Sequence, residues 1–308
     1  MSAAPQRILS GIGLKVVSTF LFGAMGACIK GLGPAFPTGE IVFFRSALAL
    51  VPVVIAVMAA PAGFSALVTR RPLSHAGRSL TGAGAMFSNF AAIQLLAYAD
   101  ATAIWFASPL FLVALAALLL GEVVRIWRWS AVIVGFLGVA IAVSPHADPA
   151  AWGTDEAMGA GFALTGALLA AFAMIFIRTM AGTENPNAIV FWFSVSCTIL
   201  SLATIPFGWV WPEGWEWALL VGAGLLGGLA QMALTNAFRL APASVVAPFE
   251  YAAMLWALAF GYTLFDETPH PVTLMGAGVI IASGLFILWR ERQIHRGRTA
   301  EAQEGKPL

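Results

Sequence analysis

Polar residues divide this chain into ten long apolar runs, over residues 11–29, 39–59, 79–98, 101–120, 129–145, 159–178, 188–207, 215–237, 244–265 and 272–289. Each is close to the roughly 20 residues that a helix needs to cross a hydrocarbon core. The connections between them are short, and no soluble domain fits in any of them. The pattern predicts an all-α polytopic membrane protein with ten transmembrane helices. The first run is followed by further apolar runs rather than by a cleavage site and a polar mature chain, which sets it apart from a secretory signal.

Composition agrees with this reading and narrows it. Of 308 residues, 60% are hydrophobic and only 10% are charged, with a mean hydropathy of +0.87. An ordinary soluble domain carries about 25% charged residues. Too little polar surface remains to wrap a water-soluble globule, which excludes a cytosolic enzyme, a disordered hub and a nucleic-acid binder. The net charge of +1 becomes informative only when the charges are placed. With a cytoplasmic N-terminus, 14 of the 16 basic residues fall inside, including Lys15, Arg78, Arg178 and Lys306, leaving Lys30 at an outer end and Arg45 within the second run. Acidic residues such as Asp100, Asp148, Glu156 and Glu267 collect outside. Retention of positive charge on the cytoplasmic side is the expected bias, so both termini are expected in the cytoplasm of a bacterial inner or other plasma membrane.

The chain also repeats itself. Ile41-Val42-Phe43 and Ser46 match Ile189-Val190-Phe191 and Ser194 at an offset of 148, and Ile29-Lys30 matches Ile177-Arg178. Farther on the offset becomes 142, pairing Asn89 with Gln231, Gln94 with Asn236, and Thr102 with Ser244. Five spans per half is an odd number, so the second half is expected upside down relative to the first. Inverted halves can exchange conformations and expose a midplane site to one side and then the other. The expected organisation is a cytoplasmic segment 1–10, a first repeat 11–145, an outer loop 146–158, a second repeat 159–289 and a basic cytoplasmic tail 290–308.

The sequence from Asp100-Ala-Thr-Ala103 through Ser108-Pro109-Leu110-Phe111 to Leu120-Gly121-Glu122 resembles the drug/metabolite transporter superfamily, in its EamA-type branch with two EamA repeats. The second half carries the matching Leu240-Ala-Pro-Ala-Ser244, Pro248-Phe249-Glu250-Tyr251 and Asp266-Glu267. The resemblance implies a secondary transporter of small organic solutes, with helices 1–4 and 6–9 around a central cavity and helices 5 and 10 at the periphery. One departure is visible: 24 residues separate Ala243 from Glu267, against 21 from Ala101 to Glu122, so the ninth span is expected to be longer or irregular near its outer end.

Charge at the centre of a spanning helix costs at least about 2.5–3.5 kcal/mol, so polar residues within the runs need a reason. Glu250 stands about 9 Å into the ninth span at 1.5 Å per residue. With Phe249, Tyr251 and Trp256 around it, it suits an organic cation, and its repeat partner is the uncharged Ser108. Arg45, about 10 Å from the other side, offers a fork of donors to a carboxylate, the alternative being a tie to backbone carbonyls. The amides Asn89, Gln94, Gln231 and Asn236 are candidate substrate contacts, with interhelical bonding as the alternative. Trp105 is a candidate cavity wall beside Ser108, Glu40 a candidate for gating or proton coupling, and Pro109 and Pro248 candidate hinges within helices. Cys28 and Cys197 read as packing residues.

No phosphate-binding loop, His-Glu metal pattern or Gly-x-Ser-x-Gly elbow occurs, so the sequence calls for no enzyme chemistry, cofactor or metal. The expected partners are a small-molecule substrate, membrane lipids and protons as a candidate coupling ion, with no nucleic acid and with a monomer or homodimer as the assembly. A zwitterionic or cationic amino-acid derivative such as S-adenosylmethionine would span Glu250 and Arg45. Export of aromatic amino acids, import of a vitamin such as riboflavin, and flipping of a lipid-linked sugar are the alternatives.

Overall fold

The computed structural model describes residues 3–59, 61, 63–122, 124–146, 154–180 and 183–303, and within them every regular element is helical. In chain order the α-helices are α1 Ala3–Leu32, α2 Thr38–Ala59, α3 Pro72–Leu95, α4 Tyr98–Trp105, α5 Ser108–Leu119, α6 Ile126–Val143, α7 Asp155–Met180, α8 Pro186–Leu202, α9 Glu216–Leu240, α10 Ala243–Val246, α11 Ala252–Phe265 and α12 Pro271–Gln303. Seven helical segments are long and apolar enough to cross a membrane, one of them being α4 and α5 together over Tyr98–Leu119. Large apolar side chains such as Ile55, Leu137, Leu255 and Met275 lie exposed on the outside of the bundle, as a lipid-facing surface requires.

The remaining three expected spans show where apolar runs and helices part. The run 79–98 begins too late, because α3 starts at Pro72, whose missing N–H is no loss in a first turn, and it carries His75 and Arg78 inside the helix. The run 188–207 is too long, since α8 ends at Leu202 and Ile205–Phe207 forms a separate 3-10 turn. The run 244–265 is broken at the end opposite to the one expected: a 3-10 segment, Ala247–Tyr251, separates α10 from α11. Pro109 and Pro248, expected within helices, instead mark breaks. Pro109 has no N–H to give the Trp105 carbonyl, and the chain turns at Phe106–Ala107 between α4 and α5. The proline that does sit inside a helix is Pro52. Asp148, most of the outer loop 146–158 and Lys306 lie outside the described residues.

Packing follows a twofold logic. α1 packs along α9 and α11, as α7 packs along α3 and α5, while α2 meets α8 and α6 meets α12. Close approach at the last pair depends on small residues: a Cβ on Gly276 would stand 2.4 Å from the Ala142 nitrogen and 2.5 Å from the Gly138 oxygen. The core where the halves meet is built from Ile29, Ile41, Phe90, Leu96, Ile104, Leu110, Leu220 and Ile280.

Candidate functional site

The α4–α5 rod sets the direction of everything around it. At its Tyr98 end, Lys30 from the last turn of α1 pairs with Glu267 at 2.6 Å and donates to the Leu96 carbonyl, while the Tyr98 N–H donates to the other Glu267 oxygen at 2.8 Å. At its far end, Arg178 from the last turn of α7 pairs with Glu122 at 3.1 Å. α1 and α7 therefore finish at opposite ends of the same rod. Glu122 and Glu267 are delivered by the same local device. Each N–H reaches back six residues, to Ala116 (3.3 Å) and Gly261 (3.0 Å), after a left-handed residue, Gly121 at φ 66° or Asp266 at φ 52°.

Between the two ends lies a cavity of about 330 Å³, walled by α1, α2, α3, α4, α7, α8, the 3-10 segment Ala247–Tyr251 and the start of α11. Of the residues expected at a substrate site, it is lined by Arg45, Asn89, Trp105 and Glu250. Arg45 is 7% exposed, and its Nε has no hydrogen-bond partner. It also borders a narrow void toward Gln231, so it stands between the cavity and the α2–α8–α9 groove. Arg78 lines the cavity as well, stacked over the Phe193 ring at 4.0 Å, its Nε also without a partner. Tyr98 completes the far wall, with its hydroxyl donating to the Gly23 carbonyl at 2.9 Å. Glu250 is half-exposed, and one of its oxygens accepts from Lys15 of α1, whose side chain is only 1% exposed.

Other expected contacts belong elsewhere. Gln94 donates to the Gly33 and Phe36 carbonyls at 2.6 and 3.0 Å and accepts from Thr38 at 2.9 Å, tying down the α1–α2 connection. Gln231 and Asn236 line a separate groove of about 520 Å³ between α2, α8 and α9, with Asn236 donating to the Met232 carbonyl. Phe249 and Ser108 do not line the cavity, nor does Tyr251, which packs edge-on to Phe106 at 5.2 Å. The indole N–H of Trp256 donates to Thr19 at 3.2 Å, outside the cavity lining. Glu40, a candidate for gating or proton coupling in the sequence, is 2% exposed and accepts the Val210 N–H at 3.1 Å, an anchor for the α8–α9 connection. Asp100, expected in an outer loop, is buried 3.5 Å from His146.

Two site residues were missed by sequence reasoning. Lys15 joins the inside charges in the distribution of basic residues, yet it falls inside the run 11–29, where it carries the same membrane cost as Glu250. Arg78 stands one residue before the apolar run 79–98, so hydropathy leaves it in the preceding loop although α3 includes it.

Comparison with known proteins completes the picture. The model of the EamA-like transporter family matches residues 9–144 and 157–289. The chain is 30% identical to the S-adenosylmethionine uptake transporter of Rickettsia conorii over 297 residues, covering 95% of this chain and 97% of that one. It is 30% identical to the pseudopaline exporter CntI of Pseudomonas aeruginosa, covering 92% and 97%. To the riboflavin transporter of Rhizobium johnstonii it is 27% identical, covering 96% of each. A solved structure described only as a crystal structure of a protein superposes with a TM-score of 0.65 at 20% identity, over 92% of this chain and 98% of that one, which speaks for the fold. The chain belongs to the EamA-like transporter family and is a membrane transporter of a small molecule.

Proposed function

We propose that this transporter carries a small amino-acid derivative bearing a carboxylate and a cationic or aromatic part, S-adenosylmethionine being the first candidate, through a bundle of ten spans in two inverted five-helix repeats. The observation that carries the reading is Arg45, a buried guanidinium that faces the cavity with an unfilled donor. An unpartnered donor in a buried site is expensive, and a carboxylate matches its planar fork in shape and charge. Arg78, on the same wall, adds to the attraction. The free oxygen of Glu250 stands ready for the cationic end, and Trp105 and Phe106 give the organic part an aromatic surface. A relative named for S-adenosylmethionine uptake is 30% identical over 95% of the chain, against 27% over 96% for one named for riboflavin, which supports this candidate first.

Movement follows from the doubled architecture. The Lys30–Glu267 and Arg178–Glu122 pairs each join one half to the other, at opposite ends of the cavity. Loosening one while tightening the other opens the cavity to alternate sides, as inverted repeats allow. We place both termini in the cytoplasm and the Lys30 end outside, in a bacterial inner membrane, on the distribution of basic residues.

The test is binding and counterflow by the purified full chain in liposomes. S-adenosylmethionine is expected to raise the Tm and to exchange across the membrane. Arg45→Gln is expected to weaken binding at least about tenfold, the loss of a charged hydrogen bond. Unchanged stabilisation and counterflow in both Arg45→Gln and Glu250→Gln would exclude this site. A response to riboflavin alone would move the cargo to that class.

A further inference from the structure

The Lys15–Glu250 pair is oddly placed for a structural salt bridge. The ammonium is sealed at 1% exposure while the carboxylate is 53% exposed and forms part of the cavity wall. One Glu250 oxygen accepts from Lys15, and the other has no hydrogen-bond partner among the described residues. The repeat does not require the pair. The counterpart of Lys15 at the offset of 148 is Ala163, and that of Glu250 at the offset of 142 is Ser108, so the equivalent corner of the other half carries no charge. Among the described residues the lysine pairs with no second anion. The Phe238 ring also lies near it, with its centroid 5.8 Å from Nζ.

We propose that the Lys15 ammonium is a tethered stand-in for the cationic group of the cargo: it occupies Glu250 while the cavity is empty and is exchanged for that group on loading. The inference rests on the reading of a cargo with a carboxylate and a cation. A carboxylate at membrane depth is costly without a partner even when half-exposed, so the empty site is stabilised by a counter-ion, and a tethered lysine supplies one at high effective concentration. When the cargo's cation approaches from the cavity, it competes for an anion that is already neutralised. Binding is weakened by that competition, and release is speeded by it. The withdrawn ammonium has the Phe238 face close by, a weaker partner that it can leave again. Lys15 is thus a positioning residue that sets affinity and turnover in opposite directions. The charged groups facing Glu250 across the cavity, Arg45 on α2 and Arg78 on α3, repel the cargo's cation and leave Glu250 as the one carboxylate among the described lining residues.

The experiment compares S-adenosylmethionine with S-adenosylhomocysteine, its analogue without the sulfonium charge, on the full chain. In Lys15→Met, the affinity for S-adenosylmethionine is expected to rise about tenfold and the maximal counterflow rate to fall, while affinity for S-adenosylhomocysteine changes less than about twofold. Lys15→Arg, which keeps the pair and strengthens it, is expected to weaken S-adenosylmethionine binding several-fold; it also serves if the Met variant does not fold. Adding Glu250→Gln to Lys15→Met should erase the gain. Equal changes for both ligands, or a gain that survives Glu250→Gln, would overturn the exchange. If neither compound binds the wild-type chain, the cargo reading fails on its own. Thermal shifts with ethylammonium then decide the exchange: a larger shift in Lys15→Met that depends on Glu250 supports it, and an equal or smaller one overturns it.

Discussion

The two ends of the bundle carry one construction in two environments. At the Lys30 end, the cation of α1 and the Glu267 carboxylate are 12% and 22% exposed, 2.6 Å apart, and bound in addition to the Leu96 carbonyl and the Tyr98 N–H. At the Arg178 end, the cation of α7 and Glu122 are 43% and 39% exposed and 3.1 Å apart. The same pair of charges from the same repeat positions is a shielded clasp in one place and a wet surface contact in the other. An ion pair's worth depends on what would be left behind when it breaks, and that differs between burial and water. The comparison teaches that the present arrangement is fastened at the Lys30 end and held loosely at the Arg178 end. The cavity between them runs from Tyr98 to Ile177, the neighbour of Arg178.

The strongest way to break the comparison is to remove the shielded cation. Lys30→Met strands Glu267 and frees the Tyr98 turn, and the expected loss is about 2–3 kcal/mol, between the values for surface and fully buried pairs. The Tm of the purified chain checks this. Cys28, half-buried in the same helix and next to Gly222 of α9, should react faster with a maleimide in a Cys197→Ser background. A shift in Tm below that of Arg178→Ala would reverse the ranking of the two ends.

A second contrast lies in the loops of the Arg178 end, where Glu184 accepts the Arg70 N–H at 2.8 Å and stands 3.2 Å from the His75 ring. Burial pushes this carboxyl up, but the hydrogen bonds from Arg70, His75 and Thr69 outweigh it and hold it below the ordinary carboxylate range. A depressed carboxyl adds stability that is fully present above its unfolded value, about 4.3, and is lost as pH falls through its lower folded value. The wild-type chain should therefore lose stability on acidification below about pH 4.3 by an amount that Glu184→Gln does not show. At neutral pH that variant should cost about 1–2 kcal/mol. Parallel pH curves for the two chains would remove Glu184 as a fastening of this end.

Much of this was legible in the sequence, and for a physical reason. Apolar length reports the bilayer directly, so each of the ten runs falls on helical chain, and the offset of 148 pairs Lys30 with Arg178. The helix breaks were not legible, because Pro109 and Pro248 act through carbonyls that lose a donor, and hydropathy does not register that loss. The lining of the cavity was legible in part: of the expected residues, Arg45, Asn89, Trp105 and Glu250 border it. Glu250 against Ser108 pointed to the cavity, whereas Gln94 and Asn236, which looked like a symmetric pair, serve a connection and a groove. An amide has equal use for a carbonyl in a loop and for a ligand, and sequence spacing cannot tell them apart.

The turns that present the two glutamates sharpen the comparison at smaller scale. Gly121 and Asp266 occupy the same left-handed position, but only glycine does so without a steric penalty. Gly121→Ala is expected to cost about 1 kcal/mol and Asp266→Gly to gain up to about 1 kcal/mol, both read as Tm shifts. Shifts of the same sign would show that the two turns are not equivalent.

The smallest effect on stability belongs to Arg178→Ala, and it bears most directly on motion. With both partners about two-fifths exposed, the pair is worth at most about 1 kcal/mol in this arrangement, and high salt should remove even that. Transport should suffer more than stability. If the halves exchange roles, the Arg178 pair becomes the shielded clasp of the opposite arrangement, where its loss is as costly as that of Lys30 here. Arg178→Ala should then slow counterflow several-fold while moving the Tm by only a few degrees, and Arg178→Lys should restore most of the rate. A variant that transports at the wild-type rate would mean that the Arg178 contact never tightens. The likeness of the two ends would then be an inheritance of the repeat with no part in the cycle.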